Sequence, residues 1–82
     1  MTREGTLLEK EPGLKINFQG SEHDYVRCVI ADTVDPSRHL NCRVIDQTDL
    51  PVEIGQLLKL EVIKVITERR TGTVYFDCHL AK

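Results

Sequence analysis

The sequence predicts an all-β fold, a small barrel of five strands with at most one helical turn between the third and fourth. Several stretches alternate apolar and polar residues with the two-residue period of a strand, and no stretch of helical length follows a 3.6-residue period. The last third is clearest: residues 55–66 and 73–81 form two arms around the polar turn 69–72, whose glycine suits a positive φ angle. Residues 55–81 are therefore predicted to be a long β-hairpin.

Length and charge describe one small domain without a strong electrostatic field. A chain of 82 residues is typical of a single domain, so residues 1–82 are predicted to fold as one barrel. The net charge is −2, but it is uneven: residues 1–56 carry −4 and residues 57–82 carry +2. The positive end is the part of the chain that favours an anionic partner.

Apolar and cysteine content predict a soluble, cytoplasmic protein. The sequence has no apolar run of the roughly 20 residues that span a bilayer and no stretch resembling a signal peptide, so no membrane partner is predicted. Cys28, Cys42 and Cys78 are odd in number and far apart in the chain. Disulfide frameworks favour an even set, so we interpret these residues as reduced thiols.

Three strands are predicted before the hairpin. Residues 1–12 either begin a strand or stay loose, and Pro12-Gly13 is expected to interrupt the chain there. Residues 14–19, 25–32 and 39–46 then alternate, separated by clusters of turn-forming residues.

The connection after the third strand is short. The apolar faces of the strands also require the sheet to close into a barrel. Asp49-Leu50-Pro51 has room for one helical turn, with Asp49 as its cap. Every predicted strand has one apolar face, and a flat sheet would leave those faces in water. A barrel buries them and removes exposed edges. On the last strand, Val74, Phe76, Cys78 and Leu80 are predicted to face inward, and Tyr75, Asp77 and His79 outward.

The alternation slips in the fourth strand. Lys64 interrupts the inward positions, while Ile63 and Val65 are apolar on the other side. A β-bulge near Ile63-Lys64 explains this locally. Alternatively, Ile63 and Val65 join Val29 and Ile45 in an outer apolar patch that a second subunit covers, which predicts a homodimer.

This arrangement resembles an OB-fold. The resemblance covers about residues 5–81 and rests on the order and spacing of the elements: three meandering strands, a short connection, then a hairpin opening with GQLLKLEV and closing with GTVYFDCHLA. Filamentous-phage single-strand-binding proteins, which are OB-like barrels of similar length, are the nearest functional analogy. The resemblance implies binding of single-stranded nucleic acid or another extended polymer across the second and third strands. An SH3-like barrel is the structural alternative.

The outward side chains are the candidate binding residues. Single-strand binders need cations for phosphates and aromatic rings for bases. Lys15, Arg27 and Arg43 are predicted to hold phosphates. Tyr25 and Tyr75 are predicted to stack on bases, and Arg69 and Arg70 at the hairpin tip to extend the path. The alternative is that these polar residues are simply solvated and the chain is a protein-interaction or assembly module.

No enzyme, metal or cofactor is predicted. Cys28, Cys42 and Cys78 fall on inward positions and lack the close pair typical of zinc sites, while His79 points away from Cys78. Inward cysteines in so small a barrel leave no cleft for Cys-His catalysis, so we expect them to pack as small hydrophobic residues.

Overall fold

Five strands account for the regular structure of the chain. The computed structural model describes residues 1–81, and over that range it contains strands and turns but no helix. The all-β class and the five strands are therefore confirmed. The strands are β1 (Thr2–Phe18), β2 (Ser21–Asp32), β3 (His39–Ile45), β4 (Leu57–Thr67) and β5 (Val74–Leu80).

The strands close into a ring in the order β1-β2-β3-β5-β4, with β4 pairing back onto β1. All neighbours are antiparallel except β3 and β5, which are parallel. Two parallel neighbours cannot be joined by a tight turn. Between β3 and β5 the chain therefore forms β4, which pairs with both β1 and β5. The ring is flattened rather than evenly round, and the chain measures 34 × 30 × 21 Å.

The first strand is much longer than predicted. Residues 2–18 form one strand, so the expected interruption at Pro12-Gly13 was wrong, and the first residues are ordered in the ring rather than loose. The pairing of β1 with β2 shifts register between Glu11 and Leu14, and Gly13 has a φ of 76°. Proline lacks an N–H, so a bulge absorbs it without ending the strand.

A two-residue turn makes β1 and β2 a long hairpin. Gln19 and Gly20 have φ angles of 53° and 82°, the two positive values that a tight hairpin turn requires. We predicted that residues 20–24 form a turn, whereas β2 already begins at Ser21. Residues 14–25, which we call the β1–β2 arm, therefore extend beyond the part of β1 that pairs with β4.

Apolar side chains of all five strands fill the ring. The three cysteines lie in this core, as predicted, and each is free and buried. The neighbouring thiols of Cys28 and Cys78, together with burial, raise the pKa of the Cys42 thiol, which keeps it protonated. The core consists of Leu7, Val26, Cys28, Ile30, Leu40, Cys42, Val44, Leu50, Leu58, Leu60, Phe76 and Cys78.

The connection between β3 and β4 seals one end of the core without a helical turn. Leu50 is buried against the core, and Val52 packs beside it. Lys10 ties the connection to β1: its Nζ lies 3.1 Å from Asp49 Oδ1 and 3.5 Å from the Val52 carbonyl oxygen. The hydrogen bond with Asp49 raises the pKa of Lys10, so both partners are charged at neutral pH.

We expect Leu50→Ala to lower the free energy of unfolding by about 2 to 3 kcal/mol. This is the lower end of the range for buried leucines, because Leu50 sits on a loop that can settle into part of the space left behind. Urea unfolding followed by circular dichroism measures the loss. Ile54→Ala, in the same connection but exposed, is the matched control. Equal losses in the two variants would show that the connection does not seal the core.

The β4–β5 hairpin is confirmed, together with the bulge. Pairing shifts register between Val62 and Lys64, which leaves Ile63 as the extra residue. Residues 63–67 extend past the segment of β4 that pairs with β1. We call residues 63–77 the β4–β5 arm.

Across residues 1–81, the structure contains no helix with the length and apolar character to span a membrane.

Candidate nucleic-acid interface

The register aligns four of the seven predicted site residues, Tyr25, Arg27, Arg43 and Tyr75, in rows on the outer face. By the outer face we mean the outward side chains of β2, β3 and β5. Arg27 lies opposite Arg43, which lies opposite Asp77. One row below, Tyr25 lies opposite Ile45. One row above, Asn41 lies opposite Tyr75 in the parallel pairing of β3 and β5. The face thus has a charged row between two aromatic rows.

The two tyrosines are partly buried and do not meet. Their partners on β3, Ile45 and Asn41, are four positions apart. At roughly 3.3 Å per residue, the two rows are about 13 Å apart along the strand. Each ring can therefore support its own base, with the cations of the middle row between them.

Arg43 and Asp77 form a bidentate ion pair on this face. Arg43 Nε donates to Asp77 Oδ1 at 2.7 Å, and a second guanidinium nitrogen donates to Oδ2 at 3.0 Å. The Asp77 side chain is 1% exposed and that of Arg43 is 25% exposed. Asp77 has the predicted outward register, yet it is buried, and its carboxylate is paired with the Arg43 guanidinium.

Ile45 is a second outward position that is buried. It lies opposite Tyr25 and is 1% exposed, so it is not part of an exposed apolar patch as predicted. Ile63 and Val65 are exposed, in agreement with the prediction, and Val29 is half-buried. The two exposed residues of the predicted patch, Ile63 and Val65, therefore lie on the β4–β5 arm.

Lys15 and Arg27 have acidic neighbours on the adjoining strand. Lys15 Nζ lies 2.9 Å from Asp24 Oδ1, and the hydrogen bond between them raises the pKa of Lys15. Arg27 Nε lies 3.5 Å from Glu11 Oε2. Both cations are solvent-exposed, and exposed pairs contribute little energy, so a phosphate can replace these carboxylates.

Arg69 and Arg70 are exposed at the tip of the β4–β5 arm. The turn that holds them is closed by backbone hydrogen bonds from Glu68 to the Thr73 carbonyl at 2.8 Å and from Gly72 to the Glu68 carbonyl at 2.8 Å. Both arginines are thus carried on an ordered turn, apart from the charged row of the outer face.

A cleft of about 520 Å³ opens between the β1–β2 arm and the outer side chains of β3, β5 and β4. Sequence reasoning missed it, because its walls come from residues that are distant in the chain. Lys64, which we noted only as a break in alternation, is one of its charged residues. The cleft is lined by Ile16, Asn17, Phe18, Gln19, Arg43, Ile63, Lys64, Ile66 and Asp77.

A polar network holds the β1–β2 arm in place. His23 Nδ1 lies 2.5 Å from Asp46 Oδ1, and His23 Nε2 lies 2.9 Å from Ser21 Oγ. The other Asp46 oxygen is 3.7 Å from His79 Nε2 on β5. The Phe18 ring meets the His23 ring edge-on at 5.7 Å. Asp46 is shared between His23 on β2 and His79 on β5. We therefore interpret the network as fixing the position of the β1–β2 arm relative to β5.

Neither this network nor the cysteines form a metal site in the part of the chain that the structure describes. No three His, Cys, Asp or Glu side chains are grouped there to hold an ion.

Comparison with known proteins assigns the chain to no family. No protein-family model, curated protein or solved structure matches it.

Proposed function

We propose that this protein is an OB-fold barrel that binds single-stranded nucleic acid on its outer face without catalysis. The fold part of the proposal is supported by the strand order and by the parallel pairing of β3 with β5, the crossing expected of a five-stranded Greek-key barrel. The binding part is supported by the surface that this order leaves facing solvent.

The alignment of the outer rows is the observation that carries the proposal. Arg27 and Arg43 stand side by side, with Tyr25 and Tyr75 in the rows on either side. Cations along a path and separate aromatic platforms are what an extended single strand requires. The β4–β5 arm carries Arg69 and Arg70 at its tip, which adds two exposed cations to those of the outer face in an acidic chain.

Fluorescence anisotropy with a labelled 20-nucleotide oligothymidine tests the proposal. We expect binding that weakens with salt, with a log–log slope of roughly −3 to −4, corresponding to about four to six phosphate contacts at about −0.7 each. Tyr75→Ala should weaken binding about tenfold, as the loss of one stacked base predicts, and Tyr75→Phe should keep the wild-type affinity.

The arginines of the tip have a matched control. Arg69→Ala and Arg70→Ala should each reduce the salt slope, whereas Arg38→Ala, at another exposed arginine in the loop between β2 and β3, should not. Absence of binding by the wild-type protein at low ionic strength would rule out the proposed function. Equal effects of the Arg38 and Arg70 variants would reduce it to general charge attraction.

Exposed apolar residues favour a second candidate, a protein-interaction module or homodimer. Ile63, Val65 and Val74 on the β4–β5 arm are 41%, 50% and 38% exposed. Light scattering over a concentration series tests self-association, and Val65→Glu should dissociate a dimer formed through this arm. A protein that stays monomeric at all concentrations excludes the dimer.

The three free cysteines support a reducing, cytoplasmic setting.

A further inference from the structure

The cleft beside the β1–β2 arm contains an arginine with unused donors. A guanidinium has five N–H groups, and the contact with Asp77 uses two of them. Arg43 also lines the cleft and is 25% exposed. The buried carboxylate thus fixes one edge of the guanidinium, and the remaining donors are available to a ligand in the cleft.

Lys64 supplies a second cation at the same place. It lies opposite Asp77 in the pairing of β4 with β5, and it lines the cleft. Its side chain is exposed, and among residues 1–81 no carboxylate lies within ion-pair distance of it. With Arg43, Lys64 and one carboxylate, the cleft carries a net charge of +1, which favours an anion.

The walls suit a flat, partly polar group. Phe18, Ile16 and Ile66 provide apolar surface, and the amides of Asn17 and Gln19 provide donors and acceptors. The volume of about 520 Å³ lies within the range of small-molecule sites, roughly 300 to 1,000 Å³. A base against the apolar wall and a phosphate on the cations match these features together.

We propose that the cleft holds one nucleotide of the bound strand. Arg43 and Lys64 contact its phosphate, Phe18 packs against its base, and Asp77 is a positioning residue that orients Arg43. This inference rests on the proposed function, because it assigns a subsite within the same binding surface.

Asp77→Asn tests the positioning role by the sign of its effect. If Asp77 is only a negative charge near a phosphate, removing that charge should tighten binding of the labelled oligothymidine. If Asp77 orients Arg43, the variant should bind about tenfold more weakly, as the loss of one charge-assisted hydrogen bond predicts. Arg43→Lys, which keeps the charge but loses the planar fork, should show a similar loss.

Two further measurements keep the test independent of folding. Lys64 is exposed, so Lys64→Ala should fold normally and reduce the salt slope by about 0.7. In NMR spectra of the wild-type protein, the side-chain amides of Asn17 and Gln19 should shift when the oligonucleotide is added. Circular dichroism establishes that each variant is folded at the assay temperature.

The outcomes separate this inference from the proposed function. If the wild-type protein does not bind the oligonucleotide, both are overturned. A second outcome is that the wild-type protein binds with the expected salt dependence while Asp77→Asn binds as tightly or more tightly and Lys64→Ala leaves the slope unchanged. In that case only the inference that the cleft holds one nucleotide is overturned.

Discussion

Gly5→Ala is expected to lower the free energy of unfolding by about 3 kcal/mol, the upper end of the usual range for overpacking. Gly5 lies opposite Asp32 of β2 and Leu58 of β4, so it stands where the ring closes and is held from both sides. A Cβ at this position would be 2.3 Å from the Ala31 carbonyl oxygen. Because that atom belongs to the backbone of a paired strand, relief of the clash requires strands to move apart, and overpacking of this kind is among the costlier substitutions.

Urea unfolding of Gly5→Ala and Gly13→Ala separates this clash from general loss of glycine. A Cβ on Gly13 meets no atom within 4 Å, although its φ of 76° is unfavourable for alanine by roughly 1 to 2 kcal/mol. The Gly5 variant should therefore be clearly less stable than the Gly13 variant. Equal stabilities would mean that β1 does not pass so close to β2 at the closure.

Arg43→Ala is expected to lower the free energy of unfolding by about 3 to 5 kcal/mol. The substitution leaves the carboxylate of Asp77, which is 1% exposed, without its bidentate partner. A buried charge whose partner is removed retains its desolvation penalty and loses the compensating attraction. Since this loss affects folding itself, Arg43→Lys is the appropriate variant for binding assays.

A double variant identifies the unpaired charge as the cause. Arg43→Leu combined with Asp77→Leu removes both charges, and replacing a buried ion pair by apolar residues is often neutral for stability. Urea unfolding should give the double variant a stability well above that of Arg43→Ala. If the double variant is as unstable as the single one, side-chain packing rather than the orphaned carboxylate accounts for the loss.

The two-residue alternation of the sequence predicted the strands that have one face in the core and one face toward solvent. Cys28 and Cys42 occupy alternate positions together with other apolar residues on β2 and β3, and the inward placement that this predicts is what the ring shows. The bulge at Ile63 was also predicted, since a slip in alternation is a local property. Both features are visible in the sequence because neighbouring positions of a strand point to opposite faces.

The same reasoning misjudged β1, where the decisive interactions are not local. Pro12-Gly13 is a turn signal in isolation, yet pairing with β2 on both sides of the bulge keeps the strand continuous. Likewise, Asp77 has the outward register of a solvated residue. Only the guanidinium of Arg43, 34 positions away in the chain, makes its burial favourable.

The sequence by itself therefore determined the number of strands, the facing of the core side chains and the β4–β5 hairpin, because these follow from the alternation of neighbouring residues. The tertiary structure alone decided the closure of β1 on β4, the Arg43–Asp77 pair and the cleft between the arms. Each of these brings together segments that are far apart in the chain, and their contacts depend on how strongly the sheet coils rather than on any local pattern.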